Sequence, residues 1–358
     1  MQANELKIER YDLSDDKSLR AWSAADEYLL QKFNELKKCP NHLSIYNDRF
    51  GYLACHLQTF KPTVVIANKS QEKAIQSNLK DNKITDLNFS NPLADFEKES
   101  DLAILKIPKS LGLFKLYLKQ IAHNSSEDVI VICAFMTRHF TPKILQIAQV
   151  FFEVTEQSKA KKKARLLVLS KKKPTIETEL IVSQYFKGEE YKQYLGVFSA
   201  EHIDYATQFF LENLEINSAQ KNVLDLASGN GIIGHQISQQ LPDANIHLMD
   251  DSFLAVASAE LNVSGPNIHH YYNNDLTIFN DNNFDLIVTN PPFHFEYEIN
   301  IQIPIRLFKE CFRCLKAGGN LQIVASKHLN YLVHLNRIFT SVEIIAEDKK
   351  FIVYKCTK

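Results

Sequence analysis

An eight-residue stretch of this 358-residue chain occurs twice, 184 positions apart. Asp101 to Pro108 reads DLAILKIP and Asp285 to Pro292 reads DLIVTNPP, with the aspartate, the leucine, two aliphatics and the last proline in register. Two buried strands can look alike by chance, so the surrounding rhythm has to agree. In the first half, after a helix read over Leu19 to Leu36, short β-rich runs at Leu43 to Tyr46, Thr63 to Ala67, Leu102 to Ile107 and Val129 to Ala134 alternate with amphipathic helical patterns. The second half repeats this at Val223 to Leu226, Ile246 to Met249, His269 to Tyr272, Leu286 to Thr289 and Leu321 to Ala325. Strands separated by helix-length segments make parallel βαβ units. Each half then ends on an antiparallel pair, Phe151 to Val154 with Leu166 to Leu169, and Val342 to Ile345 with Phe351 to Tyr354. The expectation is an α/β chain duplicated end to end, and the length agrees, since one core stops growing at roughly 250 to 300 residues.

The two halves differ in charge. The expected domains are 1–175 and 176–358. The first holds 28 Lys and Arg against 20 Asp and Glu, and the second 13 against 22. A positive excess of eight is the footprint of a surface that meets phosphate, although a lysine-rich solvated exterior gives the same count. Its densest part is Lys159, Lys161, Lys162, Lys163 and Arg165, read as a hairpin tip that contacts RNA or is merely solvated. The N-terminal residues carry acids where an export signal needs an apolar run, and no stretch reaches roughly 18 uninterrupted apolar residues, so a cytoplasmic chain without membrane spans is expected. Six scattered cysteines fit reduced thiols; Cys311 and Cys314 have half of a metal-site spacing, but no second pair follows, so they read as packing and no metal is expected.

In VLDLASGNGIIGHQI a buried strand runs into a small-residue turn and then an amphipathic helix. Gly229 and Gly231 let backbone approach a ligand, and the helix N-terminus offers N–H groups to an anion. Two acids favour S-adenosylmethionine over a dinucleotide. Asp225 precedes the turn, where it would repel a pyrophosphate but could hold an ammonium directly or through water. Asp250, with Asp251 behind it, ends the next strand, where a carboxylate can accept both ribose hydroxyls. Asn274 and Asp275, after the third strand, stand where this type of sheet places an adenine contact, or are simple turn residues. Ala227 occupies the place of the first glycine of such turns, at a cost of about 1 kcal/mol if its φ is positive.

Asn290, Pro291, Pro292 and Phe293 follow the buried strand FDLIVT. Asn-Pro-Pro-aromatic at a fourth strand's end is a signature of methyl transfer to an amino nitrogen conjugated with a planar ring. Such a nitrogen shares its lone pair with the ring and is a poor nucleophile. Acceptors on the Asn290 side chain and the Pro291 carbonyl can hold both of its N–H protons and free the lone pair, and prolines keep that carbonyl rigid. Phe293 offers a stacking face worth about 1 to 3 kcal/mol to a base swung out of its helix. His294 beside it reads as a substrate contact or a surface histidine. A strand-ending turn with a core phenylalanine would need none of this chemistry.

Gly196-Val-Phe-Ser199, Asp225 to Gly231, Asn290 to His294 and Ser326 to Tyr331 together resemble the bacterial ribosomal RNA guanine-N2 methyltransferases of the RlmG and RsmC type, over the whole chain. LRAWSAADEYLL and YNDRFGYLACHL resemble the members acting on 23S, large-subunit, RNA; Ser326-Lys327-His328 departs mildly from the family's Asn-Arg-His. The resemblance implies two tandem Rossmann-like, seven-stranded methyltransferase domains, the first degenerate and RNA-binding. It further implies that Phe198 and Ser199 border the S-adenosylmethionine, that a guanine is flipped out of helical RNA, and that the partner is protein-free 23S rRNA; a monomer is expected. The first half agrees, since it has Ile45 where the second has Asp225, Arg49 for Gly229, and Lys106-Ile107 for Asn290-Pro291. A small-subunit guanine or an adenine N6 target, a ribosome-assembly RNA-binding protein with a decayed second site, and a dinucleotide oxidoreductase are the alternatives.

Overall fold

The computed structural model describes residues 6–11, 19–85, 87–174, 178–291 and 302–358, and the backbone of 294–295 and 298–299. The chain divides into two compact units, Met1–Leu180 and Ile181–Lys358.

In the first unit, β1 (Leu43–Tyr46), β2 (Thr63–Val65), β3 (Asn88–Ser90), β4 (Ser100–Lys106), β5 (Ser125–Met136), β6 (Phe152–Gln157) and β7 (Ala164–Lys172) form one sheet in the order β3-β2-β1-β4-β5-β7-β6. The second unit opens with a separate antiparallel hairpin, β8 (Ile181–Phe186) and β9 (Glu189–Tyr194). Its sheet runs β12-β11-β10-β13-β16-β18-β17, from β10 (Asn222–Leu226), β11 (Asn245–Asp250), β12 (Ile268–Tyr272), β13 (Phe284–Thr289), β16 (Leu315–Ser326), β17 (Ser341–Glu347) and β18 (Phe351–Thr357), while the short pair β14 (His294–Phe295) and β15 (Glu298–Ile299) stands apart. In both sheets five parallel strands end in an antiparallel pair, which is the Rossmann-like methyltransferase arrangement.

The duplication extends to register. Ile45 pairs with Ile104 in the first sheet and Asp225 with Val288 in the second, so first-strand residues 180 positions apart face fourth-strand residues 184 positions apart. Asp101 and Asp285 also do the same work. The Asp101 carboxylate accepts from Asn41 N and His42 N at 2.9 and 3.0 Å, and that of Asp285 from Lys221 N and Asn222 N at 2.9 Å each. The shared aspartate thus ties the fourth strand to the start of the first, and both β4–β5 and β13–β16 shift register beside it.

Several boundaries differ from the sequence reading. The first helix is Ala24–Asn34, not Leu19 to Leu36, because Ser23 and Asp26 form a capping box that fixes its start, with Ser23 N donating to Asp26 at 2.7 Å. The strand expected over Thr63 to Ala67 ends at Val65, where Gln71 takes the Ala67 N–H. The strand β3 and the hairpin β8–β9 gave no apolar run: Asn-Phe-Ser is largely exposed, and GluGluTyrLysGlnTyr buries only Tyr191 and Gln193.

Candidate active site

The strand tips of the second sheet gather most of the sequence-predicted residues. Leu226 pairs with Thr289 and with Met249, so Ala227, Asp250 and Asn290 leave three adjacent strands side by side. The turn after β10 is left-handed at three positions, Ala227 (φ 62°), Gly229 (φ 57°) and Gly231 (φ 82°). Ala227 N and Ser228 N both donate to Met249 O, at 2.8 and 3.1 Å, which holds the turn over β11. A side chain at Gly231 would meet Val263 Cγ2 at 3.0 Å and Ala259 Cβ at 3.1 Å, whereas Gly229 faces open space. Gly231 is therefore required by packing as well as by its φ, and Gly229 by its φ alone.

Asp225 is fully buried and its Oδ2 accepts from Gly234 N, in the first turn of the helix Ile232–Gln240, at 2.8 Å. Its Oδ1 is buried with no partner. Burial, with a smaller push from the Asp250 charge and against the Gly234 N–H, raises its pKa to about 7.

Asp250 accepts from Gly229 N at 2.9 Å and Ser252 N at 2.8 Å, one on each oxygen, and burial lifts its pKa to about 6 against those bonds. It therefore links the glycine turn to the start of the helix Phe253–Asn262, with Asp251 half-buried beside it. Asn274 has a buried, unpartnered Oδ1, and Asp275 closes a turn by accepting from Thr277 N and the Thr277 hydroxyl. Ser228 Oγ and Thr289 Oγ1 are likewise buried without partners. Four orphaned polar atoms around one set of strand tips are what a polar ligand would satisfy, so the residues present fit S-adenosylmethionine.

Asn290 directly follows the end of β13. Its Nδ2 donates to Asp204 Oδ2 at 3.2 Å and Thr207 Oγ1 at 3.0 Å, both at the start of the helix Tyr205–Asn213. A carboxylate only accepts, so the nitrogen must face it and the amide oxygen is turned the other way. Pro291 is buried behind. Pro292 and Phe293 lie outside the described residues, and only the backbone of His294 is described, paired with Ile299.

Phe198 is 73% exposed. Its carbonyl and that of Val197 accept from Gln193, and Gln193 in turn accepts from Asn230 of the turn at 3.0 Å, which fastens this segment to the glycine turn. Ser199 (φ 56°) has its carbonyl bonded by Gln184 and its hydroxyl donating to His202 O at 2.6 Å. Asp204, Thr207 and Gln193 are absent from the sequence reading, and Ser228 and Asn230 lie inside the turn read there without a contact assigned to them. Only Asp204 carried a signal there, as an N-cap residue ahead of an amphipathic run.

Lys159, Lys161, Lys162 and Lys163 are exposed at the β6–β7 hairpin, with Lys162 and Lys163 left-handed at the turn, while Arg165 is half-buried with its Nε unpartnered. Lys162 pairs with Glu27 at 3.1 Å and Lys161 donates to the neutral Gln31. Among the described residues no group of three or more His, Cys, Asp or Glu could hold a metal ion, and no helix is long and apolar enough to cross a membrane. Cys311 and Cys314 are buried in the core.

The chain matches the family described as the RLMG N-terminal domain over residues 1–174 and the methyltransferase small domain over residues 190–355. It is 33% identical to a ribosomal RNA large subunit methyltransferase G from Psychromonas ingrahamii, covering 99% of this chain and 97% of that one. To the protein of the same description from Pseudoalteromonas translucida it is 32% identical, covering 98% and 95%. Among solved structures it is similar to the T. thermophilus 16S rRNA N2 G1207 methyltransferase (RsmC) in complex with AdoMet and guanosine, with a TM-score of 0.78 at 18% identity, covering 94% of this chain and 92% of that one.

Proposed function

The chain belongs to the ribosomal RNA large subunit methyltransferase G family, and from that premise we propose that its second unit methylates the exocyclic N2 amino group of a guanine in 23S rRNA. It is an S-adenosylmethionine-dependent rRNA methyltransferase. The observation that carries the finer reading is the orientation of Asn290, whose amide nitrogen is occupied by Asp204 and Thr207 while its oxygen remains for a donor.

S-adenosylmethionine, when bound, supplies a methyl group activated by a sulfonium. Gly229 and Gly231 shape the turn that would receive it, Asp225 and Ser228 would meet its amino acid portion, Asp250 and Asp251 its ribose, and Asn274, Asp275, Phe198 and Ser199 its remaining borders. Asn290 Oδ1 and the Pro291 carbonyl would accept the two N–H bonds of the guanine amino group and release its lone pair from the ring. Phe293 would stack on the flipped base. The transfer is a displacement that needs alignment more than a general base, and the surplus proton can leave to water.

The first unit is proposed as a degenerate, RNA-gripping domain over about residues 1–175, its hairpin lysines with Arg165, together with His294 of the second unit, contacting RNA. Protein-free 23S rRNA as the substrate, a monomeric state and a cytoplasmic location complete the proposal. Nucleoside mass spectrometry of rRNA from cells lacking the protein tests it. The expected result is one N2-methylguanosine missing from large-subunit RNA and restored by methylating protein-free 23S rRNA in vitro. Unchanged N2-methylguanosine in that RNA would overturn the proposal, and a loss confined to 16S rRNA would move the target.

A further inference from the structure

We propose that Asp204, assisted by Thr207, is a positioning residue that sets the specificity of the methyl transfer by fixing which end of the Asn290 amide meets the substrate. The inference rests on reading Asn290 as the acceptor for the target amino group. Asp204 caps the helix Tyr205–Asn213, its Oδ2 accepting from Thr207 N at 3.2 Å. The same oxygen accepts from Asn290 Nδ2 at 3.2 Å, and Thr207 Oγ1, on a residue 7% exposed, accepts from it at 3.0 Å.

Both amide hydrogens of Asn290 therefore have acceptors, and one acceptor is a carboxylate, which has no proton to offer a flipped amide. A flip would put the amide oxygen against a carboxylate oxygen, where two acceptors repel. The helix cap thus locks the rotamer, with Nδ2 engaged and Oδ1 without a partner among the described residues, and an oxygen acceptor pairs only with a hydrogen-bearing group. A guanine N2 amino group satisfies it. Ring nitrogens that carry no hydrogen and carbonyl oxygens of a base are acceptors and are refused, and leaving such groups unpaired is what makes the refusal steep. A freely flipping amide would lose this discrimination and would present its oxygen only part of the time.

The test uses the full chain, protein-free 23S rRNA and S-adenosylmethionine labelled in the methyl group. Asp204→Asn keeps a good N-cap, so the helix survives, but it gives the Asn290 amide a partner for either orientation. We expect kcat and kcat/KM to fall together by roughly tenfold or more, with Tm and S-adenosylmethionine affinity unchanged within about twofold. Thr207→Val, close in shape, should lower kcat roughly fivefold with Tm retained. Asn290→Asp sets two carboxylates together and should be inactive near pH 7. Combining it with Asp204→Asn restores one donor between the two positions and should recover at least about tenfold over Asn290→Asp alone. Wild-type kcat in both Asp204→Asn and Thr207→Val, beside an inactive Asn290→Ala, overturns the role of Asp204. A fully active Asn290→Ala overturns the reading of Asn290 itself. If Asp204→Asn loses Tm together with activity and Thr207→Val is unimpaired, Asp204 is a helix cap and nothing more.

Discussion

Ala227 sits at φ 62°, a backbone conformation that disfavours any side chain with a Cβ. Its N–H is held by Met249 O, so the turn over-determines the strain. Ala227→Gly should raise Tm by roughly 2 to 4 °C in a thermal melt, the equivalent of about 1 kcal/mol for a unit of this size, without weakening S-adenosylmethionine. A lower Tm would mean that the methyl group packs usefully. Asp225 is strained electrostatically rather than sterically. Its folded pKa of about 7 lies above the unfolded value of 3.8, so in that interval the native state binds the extra proton. The stability this gives is complete below the unfolded value and is lost as pH rises through about 7; Asp250, at about 6, acts in the same direction. The ligand-free protein should therefore melt higher at pH 5.5 than at pH 8. Asp225→Asn, which keeps an acceptor for Gly234 N, should raise the pH 8 Tm by a few °C and flatten that slope, while weakening S-adenosylmethionine by roughly tenfold because the ammonium loses its counter-charge. If the substitution leaves the pH profile unchanged, the buried carboxylate is not the source.

The elements were legible wherever a fully buried strand made an apolar run, which is why the central parallel strands of both sheets could be placed from sequence. β3 and the hairpin β8–β9 were not, because a short edge strand and a two-stranded ribbon bury too little to leave a pattern. The same limit explains the site. Asp225, Asp250 and Asn290 are marked by their place at strand ends, but Asp204 and Thr207 reach Asn290 across more than eighty residues, and no local pattern records that contact. The repeated aspartate was visible, but its role was not. Burial opposes ionisation of Asp285, yet the bonds from Lys316, Lys221 N and Asn222 N outweigh it and hold its pKa below the ordinary value. Asp285→Ala should then lower unfolding stability by about 1 to 3 kcal/mol in urea titration, with kcat per folded molecule unaffected. A selective loss of kcat would place this aspartate in the reaction instead.

Across the whole molecule, the same backbone position is bonded differently in the two units. Gly234 N is taken by Asp225 from the strand, which leaves the turn open; the matching Ala54 N is taken by Asp48 at 2.7 Å, from the turn itself. At the fourth strand's tip Lys106, in the place of Asn290, is held by Asp26 at 2.8 Å. On the proposed reading of the first unit as degenerate, calorimetry should find one S-adenosylmethionine per chain, where two would contradict this. Its positive charge then needs another use. Counting the Lys161, Lys162 and Lys163 side chains as phosphate contacts would predict a salt slope for RNA binding reduced by about 0.7 to 0.9 for each one removed. Lys162 is already paired with Glu27, whereas Lys161 is held by a neutral amide and keeps its charge. Replacing all three by glutamine should therefore weaken binding and lower the slope of log K against log salt by about 2 rather than about 3. The measurement is a binding series in increasing KCl, and an unchanged slope would remove the hairpin from the RNA interface.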